Sequence, residues 1–159
     1  MRTTIRAITL ALAVSVVLPA AASAYWPVAN VKSYISQGYS SQHRAYDIAS
    51  YAGTRVVPTR SGTVVFAGWR NDCGARQIWI YHGNGLYSAY YHLRAEYVYR
   101  GQHVTAQTTT IGLVGQTGCA TGPHLHFEVW KGRPWTRGSY RINPWPYMDA
   151  GKYEPYRYR

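Results

Sequence analysis

The stretch TGPHLHFEV, Thr121 to Val129, sets two imidazoles one residue apart, His124 and His126, and follows them with a carboxylate, Glu128. Leu125, Phe127 and Val129 fill the alternate positions. That alternation is a strand pattern, in which successive side chains point to opposite faces, so the apolar three can enter a core while the two histidines and Glu128 share the other face. The Gly122-Pro123 turn fixes where the strand begins and brings the histidines to a loop mouth. Taken alone, this pair fits a solvated strand face as well as it fits a metal or proton-transfer site. A second stretch, His43-Arg44-Ala45-Tyr46-Asp47, tilts the balance. A histidine and a carboxylate four apart return to roughly one face whether the chain is helical or extended. With one histidine of the strand they make two imidazoles and one carboxylate. Such a set suits zinc in a catalytic site, which takes three protein ligands at about 2.0–2.2 Å and keeps a fourth position for water. One anionic ligand leaves the centre net positive, so bound water loses a proton near neutral pH. A third piece, Tyr90-Tyr91-His92-Leu93, supplies a further histidine at the end of another strand-like run.

In this order, His-x-x-x-Asp, Tyr-x-His-Leu and Gly-Pro-His-Leu-His-Phe-Glu-Val, the chain resembles the lysostaphin-type family of zinc metallopeptidases, which cut cross-links in bacterial peptidoglycan. The runs SGTVVFAGW (Ser61 to Trp69), HGNGL (His82 to Leu86) and IGLVGQTG (Ile111 to Gly118) are similar to that family too. The resemblance extends over about residues 35 to 147. It implies a single, mainly β domain, an antiparallel β-sheet with a substrate groove, and Zn2+ held by His43, Asp47 and His126. His124 and His92 then stand unligated near the metal-bound water as catalytic residues. Either can accept the water's proton or steady the developing oxyanion, and the division of roles stays open. Tyr39 offers a further hydroxyl. The implied reaction is hydrolysis of peptide cross-links by a metal-activated water. A muramyl amide bond is the nearest competing target, and a non-catalytic peptidoglycan binder or hydrolase activator is the rival from another class. Two departures stand out. Ala45 occupies a place where the family usually has glycine, and the turn Thr105 to Thr110 lacks a glycine and is longer by one residue.

These side chains need a scaffold, and its elements read as strands. Thr63 to Trp69, Gln77 to Tyr81, Leu86 to His92, Ile111 to Val114 and His124 to Trp130 are short, rich in Val, Ile, Tyr and Trp, and bounded by Gly, Asn and Pro. Asn84-Gly85 between two of them marks a hairpin. No run of fifteen residues past the leader carries a helical apolar period. His82 and His103 lie beside turns and read as surface residues, and Asp72 as a turn residue. For Glu128, a solvated outward position and a partner orienting a ligand imidazole are both open.

Residues 1–24 read as a signal peptide, with Arg2 and Arg6 ahead of the apolar run Ala7 to Leu18 and the small residues Ala22-Ser23-Ala24 at its end. That run is short for a membrane span of about 20 residues, and Pro19 interrupts it, so no stable span is expected after processing. An N-terminal segment (25–34), the catalytic domain (35–147) and a basic, tyrosine-rich tail (148–159) follow. The full chain carries 17 basic and six acidic residues. Loss of Arg2 and Arg6 leaves fifteen against six, a formal charge of +9. Such a protein is drawn to polyanions, anionic cell-wall polymers among them, and it has no lysine-arginine run of the kind that marks a nucleic-acid tail. The expected location is secreted, extracellular or periplasmic, and cell-wall associated. Export also permits a disulfide between the only cysteines, Cys73 and Cys119, which would tie the hairpin loop to the loop leading into His124.

Overall fold

The computed structural model describes residues 24–30 and 32–148. The leader up to residue 23 and the tail from 149 onward lie outside the described residues. Eleven strands follow one another within them: β1 Tyr34–Gln37, β2 Tyr46–Ala49, β3 Arg55–Val56, β4 Gly62–Trp69, β5 Arg76–Tyr81, β6 Leu86–Tyr91, β7 Ala95–Glu96, β8 His103–Val104, β9 Gly112–Leu113, β10 His124–Lys131 and β11 Tyr140–Ile142. A single 3-10 turn, Trp145–Tyr147, closes the described chain. The long strands β4, β5, β6 and β10 fall where alternation and β-branched content place them. The expected strand at 111–114 is shorter, because only Gly112 and Leu113 pair with neighbours.

Eight strands form one sheet in the order β1-β2-β10-β6-β5-β4-β8, with β11 also on β10, and β3-β9-β7 form a second. Every pairing is antiparallel. Asn84 and Gly85 both take positive φ between β5 and β6, the turn geometry whose twist matches that of the flanking strands. Strand β10 holds the middle of the sheet. On one side it pairs with β6 over its length; on the other, β2 takes its first half and β11 its second.

Leu125, Phe127 and Val129 of β10 are buried in the main core with Ile48 of β2, Ile78 and Ile80 of β5 and Tyr90 of β6. Each such apolar side chain stabilises the fold by about 1.5–3 kcal/mol. Residues 25–34 join the same core: Trp26 and Val28 are buried, and Val28 bridges to Val56. The opposite face of the sheet carries a second apolar cluster of Trp79, Ala89, Tyr91 and Trp130. The site histidines therefore extend from an aromatic floor, on the face turned away from the main core.

Both departures from glycine resolve simply. Ala45 keeps an ordinary negative φ and is completely buried, while Gln107 takes the left-handed conformation (φ 63°) inside the Thr105–Thr110 turn. Gln107 also donates its backbone N–H to the Pro58 carbonyl.

Candidate metal centre

Register decides which side chains meet. Asp47 of β2 stands opposite His126 of β10, and Tyr91 of β6 stands opposite His126 from the other side. His43 lies just before β2, outside any helix or strand, and its Nε2 comes within 3.3 Å of the Asp47 Oδ2. The His126 Nδ1 lies 2.7 Å from the Asp47 Oδ1. One ligand atom from each of His43, Asp47 and His126 lies within 4.8 Å of the others. These are the three residues the motif resemblance selects. His92, His124 and His126 form an overlapping second set, with the His92 and His124 rings 4.8 Å apart.

The four imidazoles are not held alike. His43 has its Nδ1 on the Gly38 carbonyl (3.1 Å), His92 on the Thr117 carbonyl (2.8 Å) and His124 on the Gly122 carbonyl (2.9 Å). A carbonyl only accepts, so Nδ1 carries a hydrogen in each ring, and the neutral imidazole keeps its lone pair on Nε2. The His43 Nε2 is buried with no hydrogen-bond partner among the described residues. A buried lone pair of this kind carries a desolvation penalty unless something electropositive meets it. Two imidazoles and one carboxylate, converging with one nitrogen orphaned, fit a divalent cation of the zinc type.

His126 differs, because both of its nitrogens face carboxylates: Nδ1 faces Asp47 and Nε2 lies 3.3 Å from Glu128. Burial disfavours its charged form, yet the hydrogen bonds to Asp47 and Glu128 outweigh that and push its pKa up to about 9 in the metal-free protein. For Asp47 and Glu128 burial works in the opposite sense, and their contacts with His126 overcome it to hold both carboxyls below the usual range. Burial takes His92 the other way, down to about 4, against the pull of the Thr117 carbonyl. His92 is therefore neutral at physiological pH.

Glu128 is 2% exposed. Its carboxylate accepts from the Tyr91 hydroxyl (2.8 Å), the Trp130 indole (2.7 Å) and the Arg141 guanidinium (3.0 Å) as well as from His126. Of its two sequence readings, the structure supports the partner of His126 and removes the solvated one. His82 corrects an expectation: it is no free surface residue, since its Nδ1 meets the Ser61 carbonyl (3.0 Å) and its Nε2 the Ser88 hydroxyl (2.8 Å). His103 is exposed. Asp72 does serve its turn, accepting from the Gly74 N–H, and it also binds Arg70 and Gln77. The Tyr39 hydroxyl accepts from Arg44 (2.9 Å).

Loops behind the site are fastened. Cys73 and Cys119 form a disulfide, and the Cys119 N–H donates to the Cys73 carbonyl. The Gly74 carbonyl beside it accepts from the backbone N–H of His92, whose φ of 63° is rare for a residue with a side chain. Gly115 lets the chain cross behind both His92 and His124: a Cβ there would lie 2.6 Å from the His92 carbonyl oxygen, and its own carbonyl accepts from the His124 N–H. Neither the strained φ nor this crossing is visible in the motifs.

Comparison with known proteins agrees with this architecture. Residues 41–144 match the profile of peptidase family M23, and the chain belongs to that family. Over 94 residues it is 42% identical to the peptidoglycan DD-endopeptidase ShyA of Vibrio cholerae, an alignment of 58% of this chain and 21% of that one. Among solved structures it is similar to the antimicrobial peptidase lysostaphin of Staphylococcus simulans, with TM-score 0.70, 29% identity, and coverage of 84% of this chain and 56% of the other. A zinc-containing peptidase from Vibrio cholerae is also similar, with TM-score 0.62, 30% identity, and coverage of 68% and 37%. The chain thus spans well under two thirds of each of these relatives.

Proposed function

We propose that this protein is an exported, zinc-dependent endopeptidase that hydrolyses peptide cross-links of peptidoglycan. The observation that carries the reading is the convergence of His43, Asp47 and His126 with the His43 Nε2 left buried and unpartnered. In the proposed site His43 would bind through Nε2, Asp47 through its carboxylate, and His126 through Nδ1 while Nε2–H stays with Glu128. A bound zinc ion supplies Lewis acidity, polarising a peptide carbonyl and lowering the pKa of water.

The chain's own residues do the rest. His92 and His124 are oriented by carbonyls at Nδ1, which leaves the Nε2 of each to act as the proton acceptor. A proton taken there can pass to the leaving amine of the cleaved peptide. The aromatic floor of Trp79, Tyr91 and Trp130 lies buried on the same sheet face, where Tyr91 and Trp130 hold the Glu128 carboxylate behind His126. Export is supported by the leader-like residues 1–24 and by the disulfide, a bond characteristic of oxidising compartments.

Mass spectrometry of purified peptidoglycan fragments after incubation with the zinc-loaded protein tests the reading. New peptide ends should appear with the native chain and identify the scissile bond. The His124→Ala variant should keep its zinc and lose about 10²–10⁴ in kcat. Intact fragments from several wall types, with zinc confirmed bound, would instead favour a binding or activating role.

A further inference from the structure

Along β10, the side chains of one face run His124, His126, Glu128, Trp130, so the row that carries the site histidines continues into whatever surrounds Trp130. There a pocket of about 440 Å³ opens, lined by Arg44, Trp130, Ser139, Tyr140 and Arg141. Arg141 faces Trp130 across the β10–β11 pair, and its guanidinium lies 5.5 Å from the indole centroid. Arg44 reaches the pocket from the other side and directly follows the proposed ligand His43. A second pocket, of about 340 Å³, lies at the opposite end of the row, where Pro123 precedes β10 and Ala49 pairs with His124. Lys32 is the one charged residue lining it. The two ends of the β10 row are therefore unlike.

The guanidinium donors at the Trp130 end are only partly used inside the protein. Arg44 donates to the neutral Tyr39 hydroxyl and has no carboxylate partner among the described residues. Arg141 gives Glu128 one nitrogen, Nη1, of a guanidinium that carries five N–H donors. Two guanidinium groups beside the exposed Tyr140 ring suit a carboxylate borne on a flat or aliphatic body, because the forked donors match a carboxylate and the ring covers its apolar neighbour.

We propose that this pocket is a subsite for a free carboxylate of the substrate, and that it fixes which way the substrate lies across the metal centre. The inference rests on the peptidase reading above and goes beyond it by assigning one chemical group of the substrate to one end of the β10 row. Arg44 and Arg141 are here specificity-determining residues. Neither handles the reacting atoms.

The test uses matched peptidoglycan peptide fragments that differ only in one free carboxylate, present in one form and converted to a carboxamide in the other. Native protein should cleave the carboxylate form with about tenfold higher kcat/KM, mostly through KM, and Arg44→Gln and Arg141→Gln should each bring that ratio close to one. A ratio near one for the native protein, or an undiminished ratio in both variants, would overturn the subsite. Tryptophan fluorescence of the same fragments, titrated without turnover, separates the two readings. Carboxylate-dependent binding that Arg44→Gln weakens, with neither fragment cleaved, would uphold the subsite and count against the peptidase. Equal binding of both forms would sink the subsite whatever the turnover.

Discussion

Two histidines flank strand β6, His82 on its hairpin side and His92 just past its last residue, and their surroundings differ. His82, at the hairpin end, has Nδ1 on a backbone carbonyl and Nε2 on the Ser88 hydroxyl, and Ser88 in turn donates to the Tyr90 hydroxyl. That chain of polar groups runs on to Thr59, whose backbone N–H donates to the same Tyr90 hydroxyl. His92, at the other end, has the same kind of carbonyl anchor at Nδ1, yet its Nε2 makes no hydrogen bond among the described residues and its ring neighbours are His124 and His126. Burial brings both down to about 4, so charge does not distinguish them. The open nitrogen does. His82 is held as a bridge between two neutral oxygens, whereas His92, held at one nitrogen, has the other available for the proton transfer proposed above.

The sharpest way to break this contrast is to remove the carboxylate that gathers the site. Asp47→Ala should abolish stoichiometric zinc and reduce hydrolysis by at least about 10³-fold, read by metal analysis and fragment assay. Full zinc content in that variant would show that the three-residue set is not the metal centre. Next comes Glu128→Gln, which leaves all three proposed ligands in place while weakening the grip on His126 Nε2. Zinc affinity should fall about 10–100-fold by competition with a chelator. Unchanged affinity would reduce Glu128 to a packing role.

The smallest effect on activity belongs to His82→Asn, which should leave turnover within about twofold. Its signature is in stability. The pKa of His82 lies near 4 in the folded protein against an ordinary 6.5, so between those values the unfolded chain binds a proton there that the folded chain refuses. The contribution of neutral His82 is therefore complete above pH 6.5 and is lost as pH falls through 4, by at most about 3 kcal/mol. Urea unfolding between pH 7 and 4 should show a shallower loss in the variant. An identical slope would mean that His82 does not titrate across folding.

Several parts of this design were legible early. Alternation on β10 separates Leu125, Phe127 and Val129 from His124, His126 and Glu128, because a strand has no other way to point its side chains. The long strands and the Asn84-Gly85 hairpin follow from β-branched runs and turn chemistry. Glu128 shows what was not legible. Its face could be read, but its burial depends on Tyr91 from β6, Arg141 from β11 and its own neighbour Trp130, a meeting made by pairing register. The short strands β1, β2, β3, β7, β8 and β11 escaped too, since two to four residues hold too little pattern against the pull of tertiary contacts.

By itself the sequence determined the donor types, their order, the mainly β class and the two cysteines, because these are properties of residue identity and of short-range period. Whether His43 and Asp47 approach on a helix or on extended chain was left open by a spacing that suits both. Tertiary structure decided that, and it brought Asp47 opposite His126 across 79 residues. It also selected which histidine keeps a free nitrogen, through the carbonyls of Gly38, Thr117 and Gly122. Such choices arise from strand register and loop crossings such as that at Gly115, where contacts distant in the chain fix a ring's orientation.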